Sequence, residues 1–126
     1  MAKRGLRGVK DLRVYQLAYG LAMEVFHISA GSAREERYSL TDQIRRSSRS
    51  VPGNIAEGYR ERQYTRAFAL KMSDADAEVA ETQVWLDFAK DCSYMTADDH
   101  GRLAEGYCEV GRMLGSMIER PERFST

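Results

Sequence analysis

Between residues 65 and 92 buried-type side chains return at alternating steps of four and three: Phe68, Met72, Ala75, Val79, Thr82, Leu86 and Ala89. That is the spacing of one face of an α-helix, sustained far longer than any strand runs. The pattern predicts a helix from about Thr65 to Cys92, with Trp85, Phe88 and Cys92 as a second apolar flank beside the first. A helix that is apolar on two sides needs cover on two sides.

Three further segments carry the same period. Val14, Ala18, Leu21, Val25 and Ile28 predict a helix from Asp11, as N-cap, to about Ile28, ended by Gly31-Ser32. Beside that stripe run Tyr15, Tyr19, Ala22 and Phe26, again a wider apolar arc than a single seam requires. Next comes a helix opened by Ser39 with Asp42 three residues on, in the manner of a capping box. Its apolar side carries Leu40, Ile44, Val51 and Ile55 together with Ser47 and Ser48, and Arg45, Arg46 and Arg49 fan across the other side. Pro52 lacks an N–H and crowds the carbonyl of Ser48, so a kink is expected there rather than a stop, because Ile55 and Tyr59 continue the face. The last helix starts at Thr96 with Asp99 as its capping partner, carries Leu103, Tyr107, Val110, Leu114 and Met117, and ends before Pro121.

No segment alternates with period two over a useful length, and the connections are short. The expected fold is all-α, an antiparallel up-down-up-down four-helix bundle over residues 11–120 whose second helix is kinked at Pro52. Residues 1–10 form a basic tail and 121–126 a polar one, both expected to be mobile. The two surplus flanks, with Tyr15, Tyr19 and Phe26 on one helix and Trp85 and Phe88 on another, are read as an oligomer interface covered by identical subunits.

The formal net charge is zero, which argues against a general polyanion coat, yet the charge is unevenly laid out. Residues 1–13 hold five basic residues against one acidic, and residues 34–72 hold nine against five. Residues 73–111 reverse the sign, with ten acidic residues against Lys90 and Arg102. Fifteen of the nineteen basic residues are arginine, which suits bidentate phosphate or carboxylate contacts, although a GC-rich genome gives the same bias. Cys92 and Cys108 show no CxxC pattern and are expected to be buried free thiols. With no apolar run of spanning length and no signal-peptide core at the start, the chain is expected to be cytoplasmic, with no membrane partner.

Arg45, Arg46 and Arg49, with Arg60, Arg62 and Arg66 around the next turn, are the candidate nucleic-acid contacts, since guanidinium forks on successive turns match backbone phosphates. Lys3, Arg4, Arg7 and Lys10 would extend that rim as an arm. The competing reading is that the arginines pair with the acidic third helix, within or between subunits. Asn54 and Glu57 flank Pro52 and read as structural, the amide satisfying the backbone group left by the proline and the carboxylate fixing an arginine. Glu24-x-x-His27 resembles half of a di-iron bundle motif, but the other half is missing, because Ala97 precedes His100 by three; no metal or cofactor is expected. Asp74, Glu78 and Glu81 on adjacent turns lack a nucleophile nearby and read as a solvated or salt-bridged face rather than as an acid–base pair. Gly111 and Gly115 are spaced for close helix approach.

The runs Asp11-Leu12-Arg13-Val14-Tyr15, Leu40 through Gly58 and Glu81-Thr82-Gln83 resemble the four-helix-bundle family encoded by 23S rRNA intervening sequences. The likeness is densest from Gln43 to Gly58, where an Arg-Arg pair precedes a mid-helix Pro-Gly-Asn. It implies a bundle that assembles as a homopentamer. It also implies a fold similar to the accessory protein of diversity-generating retroelements, whose five-fold barrel has a basic surface that engages nucleic acid and a reverse transcriptase. The expected role is therefore a non-enzymatic oligomer associated with structured RNA or DNA, or an adaptor for another protein. The alternative is a purely structural scaffold whose arginines form intersubunit salt bridges. Asp74-Ala75-Asp76-Ala77-Glu78 departs from the small and apolar residues expected there, which counts against a uniformly basic outer surface.

Overall fold

The computed structural model describes residues 8–31 and 34–124. Among them are four long helices and no strand: α1 (Arg13–Ser29), α2 (Asp42–Arg60), α3 (Thr65–Asp91) and α4 (Ala97–Glu119). α1 packs on α2 and α4, and α3 packs on the same two, so α1 and α3 occupy opposite corners of a four-helix bundle. Contacts between neighbours run in opposite order along the chain, with Ser47 against Thr82 and Glu57 against Lys71 across α2 and α3. Across α3 and α4, Gln83 meets Cys108 and Asp87 meets His100.

The core is the one the periodicity defines. Each of the seven stripe residues of α3 is buried, as are Leu103, Tyr107, Val110, Leu114 and Met117 of α4. On α1 the stripe holds through Val25, after which Ser29 takes the buried place expected for Ile28, which is half-buried. α2 buries Ile44, Ser47, Ser48, Val51, Ile55 and Tyr59. The two serines are accommodated by hydrogen bonding: Thr82 Oγ1 lies 2.8 Å from Ser47 Oγ and 2.8 Å from the Glu78 carbonyl. Ser48 Oγ donates to the Arg45 carbonyl. A buried hydroxyl without a partner costs on the order of 1–3 kcal/mol, so the Ser47–Thr82 pair favours one register of α2 on α3.

The helix boundaries show where packing overrides local signals. α1 begins at Arg13 rather than after Asp11; Leu12 holds the extended cap position and no side chain caps it. Asp11 instead closes a 3-10 turn, Val9–Asp11, which lets Leu12 bury itself against the core. Residues 8–10 are thus part of the packed structure, while residues 1–7, with Lys3, Arg4 and Arg7, lie outside the described residues. α2 is entered through a single π-helical turn, Arg37–Thr41, and Ser39 does not cap it. Ser39 Oγ donates to Glu36 Oε1 at 2.6 Å, a charged acceptor that outcompetes the weaker backbone interaction. α2 then continues unbroken through Pro52.

Thr96 accepts from the Asp99 N–H at 3.1 Å, the cap expected for α4. α3 ends on Ser93 at φ 66°, with Tyr94 N–H returning to the Ala89 carbonyl in a Schellman-like closure. After α4, Pro121–Phe124 forms a 3-10 turn and Phe124 stacks on Phe68 at 6.0 Å and 20°. An aromatic pair of this kind contributes about 0.5–1.5 kcal/mol beyond its buried area and favours docking of the turn.

Two expectations about small residues are corrected. Cys92 and Cys108 are both exposed, because they lie just off the inward arcs of their helices. Gly111 and Gly115 do not mark the close approach: a Cβ at Gly115 would meet nothing within 4 Å, and one at Gly111 only Asp76 Oδ1 at 3.7 Å. The tight crossings lie at Gly58, whose Cβ would fall 2.8 Å from Lys71 Cβ, and at Gly106, against Leu21.

Candidate nucleic-acid interface

The outward side of α2 carries a shallow groove of ≈ 640 Å³ that runs past Gly53. Arg45, Arg46 and Arg49 line it on one side of the glycine, and Asn54 and Glu57 on the other. Its lining mixes these three arginines with the carboxylates of Asp42 and Glu57.

Each guanidinium in this region has a different commitment. Arg45 Nε donates to Ser29 Oγ at 2.8 Å, and its guanidinium carbon lies 4.7 Å from the centre of the Phe26 ring. It thereby clamps α2 onto the end of α1, through a cation–π contact and a hydroxyl bond. Arg46 reaches across to α3, bonding Glu81 and, at 3.4 Å, Glu78. Arg62 lies 4.1 Å over the Tyr59 ring and donates to the Tyr59 carbonyl. Arg49 approaches Phe26 at 5.8 Å and, like Arg60 and Arg66, is exposed and forms no ion pair among the described residues. Arg49 and Arg60 are eleven residues apart, so they share one face of α2 with a rise of roughly 16 Å between them.

The six arginines are therefore not one continuous rim. Three are engaged within the protomer, and the pairing of Arg46 with the acidic third helix is the competing expectation realised at that position. Asn54 Nδ2 donates to the Ser50 carbonyl at 2.9 Å rather than to the Ser48 carbonyl opposite the proline. Glu57 holds Lys71 at 2.7 Å rather than an arginine.

Arg46 has an electrostatic consequence. Its hydrogen bond to Glu81, then that from Trp85 Nε1, hold the Glu81 carboxyl below its ordinary value of 4.5. A depressed carboxyl stabilises the folded state above its unfolded pKa, and that contribution is lost as pH falls through the folded value. Both partners are partly exposed, so Arg46→Ala is expected to cost only about 0.2–1 kcal/mol at neutral pH. The difference from wild type in urea unfolding should shrink below the ordinary carboxylate range; a gap that persists undiminished there contradicts the assignment.

Two of the remaining candidates, Glu24 and His100, are held in ion pairs. Glu24 is bound by Arg102 at 2.9 Å and His27 is exposed. His100 Nε2 lies 2.8 Å from Asp87. Among the described residues no cluster of three or more His, Cys, Asp or Glu is placed to hold a metal ion. Among the described residues no helix is long and apolar enough to cross a membrane.

Of the residues assigned to an oligomer interface, Tyr19 and Phe88 are half exposed, whereas Tyr15, Phe26 and Trp85 are partly covered within the protomer. Tyr15 and Tyr19 lie 5.9 Å apart and Trp85 and Phe88 6.0 Å apart, so each helix carries a local aromatic pair. Sequence reasoning missed Leu70 and Val84, which are more than half or half exposed on the outer side of α3. The signal was available as a second seven-residue repeat, Leu70, Ala77 and Val84, running opposite the core stripe.

A four-helix bundle with apolar residues left outside on two helices and arginines outside on a third is the class that the geometry defines. The chain belongs to the 23S rRNA-intervening sequence protein family, whose model matches residues 10–116. A crystal structure of a protein with unknown function from the S23 ribosomal protein family of Bacteroides thetaiotaomicron VPI-5482 shares the fold. Its TM-score is 0.74 at 23% identity, covering 83% of this chain and 97% of that one. No curated protein matches the sequence.

Proposed function

We propose that this chain is a non-enzymatic, cytoplasmic helical bundle that works as a homo-oligomer, a pentamer as the family resemblance implies. In this reading it associates with RNA or DNA through phosphate contacts from Arg49, Arg60 and Arg66. The supporting observation is that these three guanidiniums are exposed and carry no carboxylate partner among the described residues, unlike Arg46. Phosphate contacts of this kind position a nucleic acid without reading its sequence. Of Asp74, Glu78 and Glu81, the last two are both engaged by Arg46.

A gel shift across a salt series with a structured RNA tests the reading. Replacing Arg49, Arg60 and Arg66 together with alanine is expected to weaken binding and to flatten the dependence of log K on log salt by about 0.7–0.9 for each contact removed. The oligomer should be unchanged. Absence of binding by the wild type at low salt, or an unchanged slope in the triple variant, contradicts it. The second reading is a structural scaffold, favoured by the engagement of Arg45 and Arg46 within the protomer; loss of the oligomer in the triple variant would select it.

A further inference from the structure

Tyr64 stands in the turn between α2 and α3 and is 62% exposed, although its backbone is fixed. Its N–H donates to the Glu61 carbonyl at 2.8 Å, and its carbonyl accepts from the Phe68 N–H at 2.9 Å. It holds the cap position of α3, where no side chain caps the helix. Short polar side chains serve that position, and a phenol at the far end of a ring does not. Of the other exposed tyrosines, Tyr19 lies 5.9 Å from Tyr15, and Tyr38 has the Arg37 guanidinium 5.8 Å from its ring. Among the described residues the Tyr64 side chain has neither a ring contact nor a hydrogen bond. The fold makes no use of it there.

The charge around it is set by the topology. Antiparallel packing brings residues 8–13, 60–66 and 119–124 to one end of the bundle, where the turn Val9–Asp11 touches α1 and α2 and the turn Pro121–Phe124 touches α3 and α4. These segments hold seven basic residues against four acidic. At the other end, residues 27–31, 34–42 and 87–102 hold seven acidic against four basic. The bundle is therefore polarised along its axis, and Tyr64 stands at the basic end. Arg60 ends α2 and Arg66 lies in the first turn of α3, both exposed, so a guanidinium stands on each side of the turn that carries the ring.

An open aromatic face between exposed cations selects among anionic partners. An acidic peptide would meet the arginines but not the ring, whose negative face repels a carboxylate. A duplex offers phosphates, but its bases are already stacked on both faces. An unpaired nucleotide offers a flat base for the ring and a phosphate on either side for the guanidiniums. A tyrosine on a fixed turn has only two side-chain torsions to immobilise, so little freedom is lost when a base settles on it.

We propose that the α2–α3 turn docks an unpaired stretch of nucleic acid, with the Tyr64 ring stacked on a base and Arg60 and Arg66 on the neighbouring phosphates. This rests on the nucleic-acid association proposed above and specifies its ligand as single-stranded. Stacking is open to every base, so the site distinguishes unpaired from paired strands rather than one sequence from another.

The test measures fluorescence anisotropy of a labelled oligouridylate, an oligodeoxythymidylate and an RNA duplex of equal length, titrated with the full chain across a salt series. Wild type should bind the single strands more tightly than the duplex. Tyr64→Ala should weaken single-strand binding by roughly 5- to 150-fold, the loss of one stacked base. It should leave duplex binding and the salt dependence unchanged, because stacking releases no counterions. Tyr64→Phe should bind as wild type does, and circular dichroism checks that both variants are folded. Replacing Arg60 and Arg66 with alanine should instead flatten the salt dependence. The proposal is overturned if Tyr64→Ala binds single strands as wild type does, if it weakens duplex binding equally, or if its effect is confined to one of the two sugars. In those cases the nucleic-acid reading stands and only the stacking site is lost. A wild type that binds none of the three probes at low salt removes the nucleic-acid reading itself.

Discussion

Phe68→Ala is expected to lower the free energy of unfolding by about 3–5 kcal/mol, the range for truncating a buried aromatic side chain. Phe68 is fully buried, and its ring also carries Phe124, so the substitution opens a cavity and releases the C-terminal turn from its stacking partner. The site has little freedom to collapse, because the adjacent crossing of α2 and α3 at Gly58 is already tight. Urea unfolding at fixed protein concentration is the appropriate measurement, since an oligomer's apparent stability depends on concentration. A loss below about 1 kcal/mol would mean that this end of the bundle is not packed as described.

Two glycines of α2, five residues apart, are expected to respond differently to alanine. At Gly58 a Cβ would fall 2.8 Å from Lys71 Cβ, which sits on the α3 backbone and cannot swing away as the end of the nearby Met72 side chain can. Overpacking of this kind costs about 1–3 kcal/mol, against a gain of about 1 kcal/mol from replacing a mid-helix glycine. Gly58→Ala should therefore be neutral to destabilising, with the helices pushed apart. At Gly53 nothing lies within 4 Å, so Gly53→Ala should keep the helix-propensity gain of about 1 kcal/mol. The same unfolding experiment reads both. Equal stabilisation by the two variants would show that α2 and α3 do not cross closely at Gly58.

The interior was legible wherever one face of a helix had a single task. On α3 and α4 every residue of the main stripe is buried, because apolar period and packing agree there. Legibility failed where a local signal met a stronger competitor. Asp11 and Ser39 are good N-caps in isolation, but burial of Leu12 and the carboxylate of Glu36 drew the chain into other geometries. Phe124 looked like part of a polar tail because a single aromatic residue has no period to betray its contact.

The arginines of α2 were harder to read for a different reason. Periodicity places a side chain on a face, but its partner depends on what the neighbouring helix presents at the same height. Arg46 and Arg49 are separated by less than one turn, yet one meets the acidic side of α3 and the other faces Phe26 and solvent. The outer stripe of α3 was obscured by the core stripe, since a helix that is apolar on opposite sides shows no clear polar half to mark the boundary.

The apolar faces of α1 and α3 carry the account, and the native mass of the wild-type protein tests them most directly. Sedimentation velocity at micromolar concentration should give a species of several chains of 14.3 kDa, five by the family resemblance. A stable single chain under those conditions would mean that Tyr19, Met23, Leu70, Val84 and Phe88 remain exposed in solution, and would contradict it.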